Sequence, residues 1–135
     1  MKNSPIDNPN KNAKKKYILL VEDEVAYAHL LQDKLEEAGF RVVLVRSGDL
    51  ALEEIKRKKP DLVILDLILP IKDGYELLED LYKEEAIKGL KILILSNLGK
   101  EVKRKKTNKP AVVDYIVKTD ISLEEMIKKV KEHCP

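Results

Sequence analysis

The sequence predicts an α/β domain in which helices cover both faces of a parallel sheet, and three observations lead there. Short, continuous apolar runs alternate with longer stretches whose apolar residues recur at helical spacing. The short runs lack the polar alternation of a half-exposed strand, as expected for strands buried on both faces. Several of them also stop abruptly at an acidic, hydroxyl or basic residue, and open α/β sheets collect ligands at the carboxyl ends of their strands.

Each element follows from local chemistry. Residues 1–15 read as a flexible basic tail, rich in Asn, Pro and Lys with Ile6 as its one large apolar side chain, too little to offset the entropy of ordering. The domain is expected over residues 16–135. Tyr17-Ile18-Leu19-Leu20-Val21 is the first strand, ending in Glu22-Asp23-Glu24. Ala28, Leu31, Leu35 and Ala38 then mark a helix that Gly39 stops. Val42 to Val45 is the second strand. Ser47 is placed to cap a helix running through Ile55, with Ala51 and Leu52 on its inner face and Pro60 beyond its end.

Leu62 to Leu65 is the third strand, running into Asp66. Tyr75, Leu78, Leu81 and Tyr82 outline a third helix, and Ile92 to Leu95 a fourth strand ending at Ser96-Asn97. Residues 99–109 are expected to form a short fourth helix with little to bury: Val102 is their one clear apolar residue, and Lys103-Arg104-Lys105-Lys106 are consecutive. Val112 to Val117 is the fifth strand, with Asp114 as its one charge and Lys118 at its tip. Ser122 and Glu125 have capping-box spacing ahead of a fifth helix carrying Leu123, Met126, Ile127 and Val130.

Composition narrows the function. The 135-residue chain is 44% hydrophobic and 37% charged, enough for one solvated domain with one core. No apolar run approaches the roughly 20 residues of a membrane span, so a cytoplasmic protein without membrane insertion is expected. Cys134 is the sole cysteine, which excludes an intrachain disulfide. The net charge is +2, but residues 1–16 hold five lysines against one aspartate, which leaves the rest of the chain slightly acidic. A nucleic-acid partner is therefore not expected.

Five strands and five helices in alternation predict a doubly wound sheet of order 2-1-3-4-5, whose switch point lies between strands one and three. Glu22-Asp23, Asp66, Ser96 and Lys118 should then converge on one edge. Carboxylates about 4 Å apart repel by roughly 4 kcal/mol at an effective dielectric near 20, so such a cluster either holds protons or takes a cation. Oxygen ligands without His or Cys favour Mg²⁺, with Mn²⁺ as a substitute. A lysine and a serine opposite the metal would clamp a phosphoryl group, and an aspartate can be the nucleophile that receives it.

Those residues carry a resemblance. Ile18-Leu19-Leu20-Val21-Glu22-Asp23-Glu24, the run Pro60 to Pro70 around Asp66, Asp73-Gly74, Leu95-Ser96 and Asp114-Tyr115-Ile116-Val117-Lys118 together resemble the response-regulator receiver domain of two-component signalling, the CheY-like member of the flavodoxin-like folds. The resemblance spans residues 16–133. It implies a phosphoprotein of a phosphorelay, with Asp66 as phosphoacceptor, Asp23 and Asp66 as magnesium ligands, Glu22 acting through water and the Ile68 backbone carbonyl completing the set. Ser96 and Lys118 would bind phosphoryl oxygens, and Ser96 and Tyr115 would form the switch. A histidine kinase or phosphotransfer protein would be the donor. The output would be a downstream protein recognised through the fourth helix, fifth strand and fifth helix, with no catalysis beyond the domain's own phosphorylation and dephosphorylation. A stand-alone receiver is expected.

Thr119 stands where the family usually has a proline joined by a cis bond, so the Lys118-Thr119 bond is either trans or strained. Two other functions compete. A phosphorylation-independent pseudo-receiver adaptor need not retain the acidic site. A haloacid-dehalogenase-like phosphatase needs an acidic residue two positions after its nucleophile, where this chain has Ile68. His29 and His133 are expected on helix surfaces, away from the chemistry.

Overall fold

A computed structural model describes residues 15–86, 88–97 and 111–135. In chain order the elements are β1 (Tyr17–Val21), α1 (Val25–Glu37), β2 (Arg41–Val45), α2 (Gly48–Arg57), β3 (Leu62–Leu65), α3 (Gly74–Lys83), β4 (Ile92–Ser96), β5 (Val112–Val117), a 3-10 turn at Lys118–Asp120, and α4 (Leu123–His133). The five strands form one sheet in the order β2-β1-β3-β4-β5, and every pair is parallel. The predicted strand order is observed. Four of the five predicted helices are present, α4 being the predicted fifth. The helix expected over 99–109 and the tail, apart from Lys15, lie outside the described residues.

The uninterrupted apolar runs become strands because both of their faces are covered. Every residue of β1, β3 and β4 is buried, whereas edge strand β2 is open in part. On one face, Ile18, Leu20, Ile64 and Leu95 pack against Leu31 and Leu35 of α1 and Met126 and Val130 of α4. On the other, Leu19, Val63 and Ile94 meet Ala51 and Ile55 of α2 and Leu77, Leu78 and Leu81 of α3. Each fully buried Leu or Ile stabilises the fold by about 1.5–3 kcal/mol relative to exposure, so side chains pointing both ways fix the sheet between its helices.

Helix termini follow the predicted signals with one correction. Ser122 and Glu125 form a reciprocal capping box, as Asp73 and Glu76 do at α3. Gly39 takes a φ of +100° just beyond α1, a conformation that suits glycine. Ser47 does occupy the N-cap position of α2, but its hydroxyl makes no cap hydrogen bond and donates to the Asp49 carboxylate instead. The next residue explains the corner: the Gly48 N–H donates to the Lys72 carbonyl at 2.8 Å, and a Cβ on Gly48 would lie 2.1 Å from that oxygen. The loops after β2 and β3 are thereby locked together.

Candidate functional site

The site is built by extending the parallel ladder one step past the strands. Val21 pairs with Leu65, so the following residues, Glu22 and Asp66, leave the sheet side by side. Their backbones stay anchored: the Glu22 N–H donates to the Val45 carbonyl and the Asp66 N–H to the Val21 carbonyl, each at 3.0 Å. Ser96 pairs with Val117, which puts Lys118 one position further out on the same edge. Gly74 closes in from the start of α3, and a Cβ there would lie 2.6 Å from the Asp66 carbonyl oxygen. No larger residue fits this junction without moving the Asp66 loop.

Lys118 reaches across three elements. Its Nζ lies 2.6 Å from Glu22 Oε1, 3.2 Å from Asp66 Oδ2 and 3.2 Å from Glu24 Oε1. The Lys118 and Glu22 side chains are only 6% and 2% exposed, so their attraction is poorly screened. Burial pushes the Glu22 carboxyl up to about 7 against the downward pull of Lys118 and of the Glu24 N–H. Burial also works against the charge on Lys118, but its bonds to Glu22 and Asp66 win, and its pKa rises. The lysine therefore remains an ammonium.

The remaining predicted residues surround this centre. The Ile68 N–H donates to Asp66 Oδ1 at 3.2 Å and orients the carboxylate, while the Ile68 side chain is 60% exposed. Ser96 is fully buried and lines the same open cleft of about 490 Å³ as Glu22, Asp66, Asn97 and Lys118. Tyr115 packs its ring inward against the core on the α2 and α3 side, with its hydroxyl removed from solvent. There is no cis peptide among the described residues, so the bond from Lys118 to Thr119 is trans.

Asp23 lines the same cleft and is paired at the surface, its Oδ1 3.3 Å from Arg46 Nη2. Among the described residues, no three acidic, histidine or cysteine side chains are grouped to hold a metal as they stand. The donor chemistry nevertheless fits Mg²⁺. Glu22 and Asp66 are buried carboxylates, the first held well above its ordinary range by burial, and a hard cation relieves that cost. Asp23 is half exposed and, among the described residues, is paired with a half-exposed arginine, an arrangement easily exchanged for a metal.

Comparisons with known proteins show the family and the fold. Residues 18–131 match the family model described as the response regulator receiver domain. The chain belongs to that family. The Rhizobium meliloti phosphate regulon transcriptional regulatory protein PhoB is 37% identical over 114 residues, covering 84% of this chain and 50% of the relative. The Halobacterium salinarum chemotaxis protein CheY is 35% identical over 103 residues, covering 76% and 84%. Among solved receivers, the Thermotoga maritima response regulator TrrA, determined in complex with Mg²⁺-BeF, superposes with a TM-score of 0.73 at 30% identity, covering 87% of this chain and 98% of that one. The chain spans about half the length of the first curated transcriptional regulators it matches.

Within this receiver, the structure brings Glu22, Asp23, Asp66, Ile68, Ser96 and Lys118 to one cleft, with Asp23 also paired to Arg46. Sequence reasoning missed three neighbours: Glu24, which bonds Lys118; Arg46, which holds Asp23; and Tyr27, whose ring centroid lies 4.8 Å from Lys118 Nζ. Glu24 was visible as part of an acidic run. Arg46 and Tyr27 left no signal, because their places depend on how the β2 corner and α1 close over the edge. His133 also departs from expectation. Its side chain is only 23% exposed, and Nε2 lies 2.8 Å from Asp114 Oδ2, tying α4 to β5.

Proposed function

We propose that Asp66 is the phosphoacceptor of this receiver domain, and that a histidine kinase or phosphotransfer protein is its donor. The observation that carries this is the buried contact of Lys118 Nζ with Asp66 Oδ2, 3.2 Å between residues 52 positions apart. A carboxylate that needed only neutralising is already satisfied by one lysine. Here the ammonium is shared with Glu22 and Glu24, so a phosphoryl group arriving on Asp66 finds a cation in reach.

In the transfer, an Asp66 carboxylate oxygen forms a bond to phosphorus as the bond from phosphorus to the donor's imidazole nitrogen breaks; the imidazole departs with that electron pair. Lys118 donates N–H bonds to the incoming oxygens, Ser96 lies within the same cleft to bond another, and the Ile68 N–H holds the carboxylate in aim. Asp23, Asp66 and the Ile68 carbonyl, with Glu22 through water, are the residues that would hold Mg²⁺ or Mn²⁺. The metal would supply neutralising charge for the phosphoryl oxygens.

The added charge, about −1.5 to −2, biases Ser96 and the inward Tyr115, and the change is read by a downstream protein on the surface that includes β5 and α4. The reading is tested by incubation with Mg²⁺ and acetyl phosphate followed by intact mass. Wild type gains one phosphoryl group and Asp66→Asn gains none. Equal labelling of the two proteins, or steady turnover of unrelated phosphoesters, rejects it.

A further inference from the structure

Tyr27 sits on α1, one turn beyond Glu24, half-buried and packed against the core shared by α1 and α4. Its ring centroid is 4.8 Å from Lys118 Nζ, within the range of an attraction between a cation and an aromatic face. We infer that Tyr27 is the positioning residue of Lys118, its ring keeping the ammonium on the cleft while the anions opposite exchange. The inference rests on the receiver reading and adds to it a residue that acts through Lys118.

The physical need is specific. An ammonium has three N–H donors, and the three carboxylates within 3.2 Å of Nζ can take all of them. Lysine has a flexible four-carbon stem, so a cation held by carboxylates alone follows whichever anion draws it hardest. Glu24 is 61% exposed and, at the same 3.2 Å as Asp66, competes with it for the ammonium. An aromatic face attracts the charge without accepting an N–H along a fixed direction. A phosphoryl oxygen can therefore replace a carboxylate oxygen while Nζ stays seated. The half-buried ring is itself held by the core, so it does not move with the exchange.

The test compares Tyr27→Phe, which keeps the ring, with Tyr27→Leu, which removes it. Two quantities are measured: the initial rate of Asp66 phosphorylation by acetyl phosphate at saturating Mg²⁺, and the proton shifts of the Lys118 Cε methylene, which a ring at this distance displaces upfield. The Phe variant is expected within twofold of wild type with the upfield shift retained. The Leu variant is expected about fivefold slower with the shift lost. If Tyr27→Leu does not fold, Tyr27→Met fills the space with a flexible side chain and carries the same expectation.

A ring-free variant as fast as wild type, a Phe variant as slow as the ring-free one, or a Lys118 methylene without an upfield shift in wild type would each overturn the assignment. Failure of the receiver reading looks different. Wild type then takes no phosphate at Asp66; the phosphoryl role of Tyr27 falls with it, and the methylene shift still decides whether the ring holds Lys118.

Discussion

The two rims of the sheet carry similar residues and arrange them in opposite ways. At the start of β1, Tyr17 donates its hydroxyl to Glu54 at 2.7 Å, Glu54 pairs with Arg57 at 2.7 Å, and Asp61 accepts the Tyr17 N–H at 2.7 Å. Arg57 first, then Tyr17, holds the Glu54 carboxyl below its usual range. At the other rim one buried ammonium faces three carboxylates. Charges at the first rim are matched locally and have nothing to exchange. The second rim has a surplus of negative charge around a buried cation, which fits it to take up a metal and a charged group.

The largest expected effect comes from emptying the crowded rim of its cation. Lys118→Ala leaves Glu22 and Asp66 buried without their partner and should cost on the order of 3 kcal/mol, together with loss of Mg²⁺-dependent phosphorylation. Thermal unfolding with and without Mg²⁺ checks it. The metal should raise the midpoint more in the variant than in wild type, because it alone then offsets the acids. An unchanged midpoint without metal would mean that the rim is not overcharged.

A smaller effect is expected where charge is matched. Burial opposes ionisation of Asp114, but its bonds to His133 and to the Tyr115 N–H outweigh this, and its pKa is lowered. Because the folded state releases this proton more readily than the unfolded chain, the stabilisation is complete above about pH 4. It is lost as pH falls through the lower folded value. Asp114→Asn should therefore cost about 1 kcal/mol at pH 7, and the deficit should close in strong acid. A deficit that stays constant from pH 7 to pH 2 would refute the linkage.

The smallest effect tests the border between the two regimes. Arg46 and Asp23 are half exposed, and such pairs contribute about 0–1 kcal/mol. Arg46→Ala should leave stability within about 0.5 kcal/mol while freeing Asp23, so that Mg²⁺ binding measured by calorimetry tightens by up to about fivefold. Weaker binding in the variant would show that the arginine supports the metal position rather than competing for it.

Much of the site was legible because a parallel sheet makes strand ends predictable neighbours. Once Leu62 to Leu65 is read as a buried strand, Asp66 must leave on the edge where Val21 and Val117 also end. The capping boxes at Ser122 and Asp73 both carry a signal in the sequence, an N-cap residue three positions before a glutamate; only the Ser122 pair is among the expectations above. Ser47 had the right type and position for a cap, yet tight packing of Gly48 against Lys72 set the corner instead. The pairing of His133 with Asp114 was hidden because helical phase alone does not reveal how far the last turn of α4 lies over β5.

The amino-acid order by itself determined that apolar runs would be sandwiched between helices and that an aspartate, a serine and a lysine would share one rim. Periodicity and parallel topology require no knowledge of side-chain contacts. Tertiary structure alone decided that Lys118 is divided among three acids over the Tyr27 ring, and that Asp23 pairs with Arg46. Those choices arise from competition among charges a few ångströms apart, and the outcome depends on burial and distance, which exist only once the chain has folded.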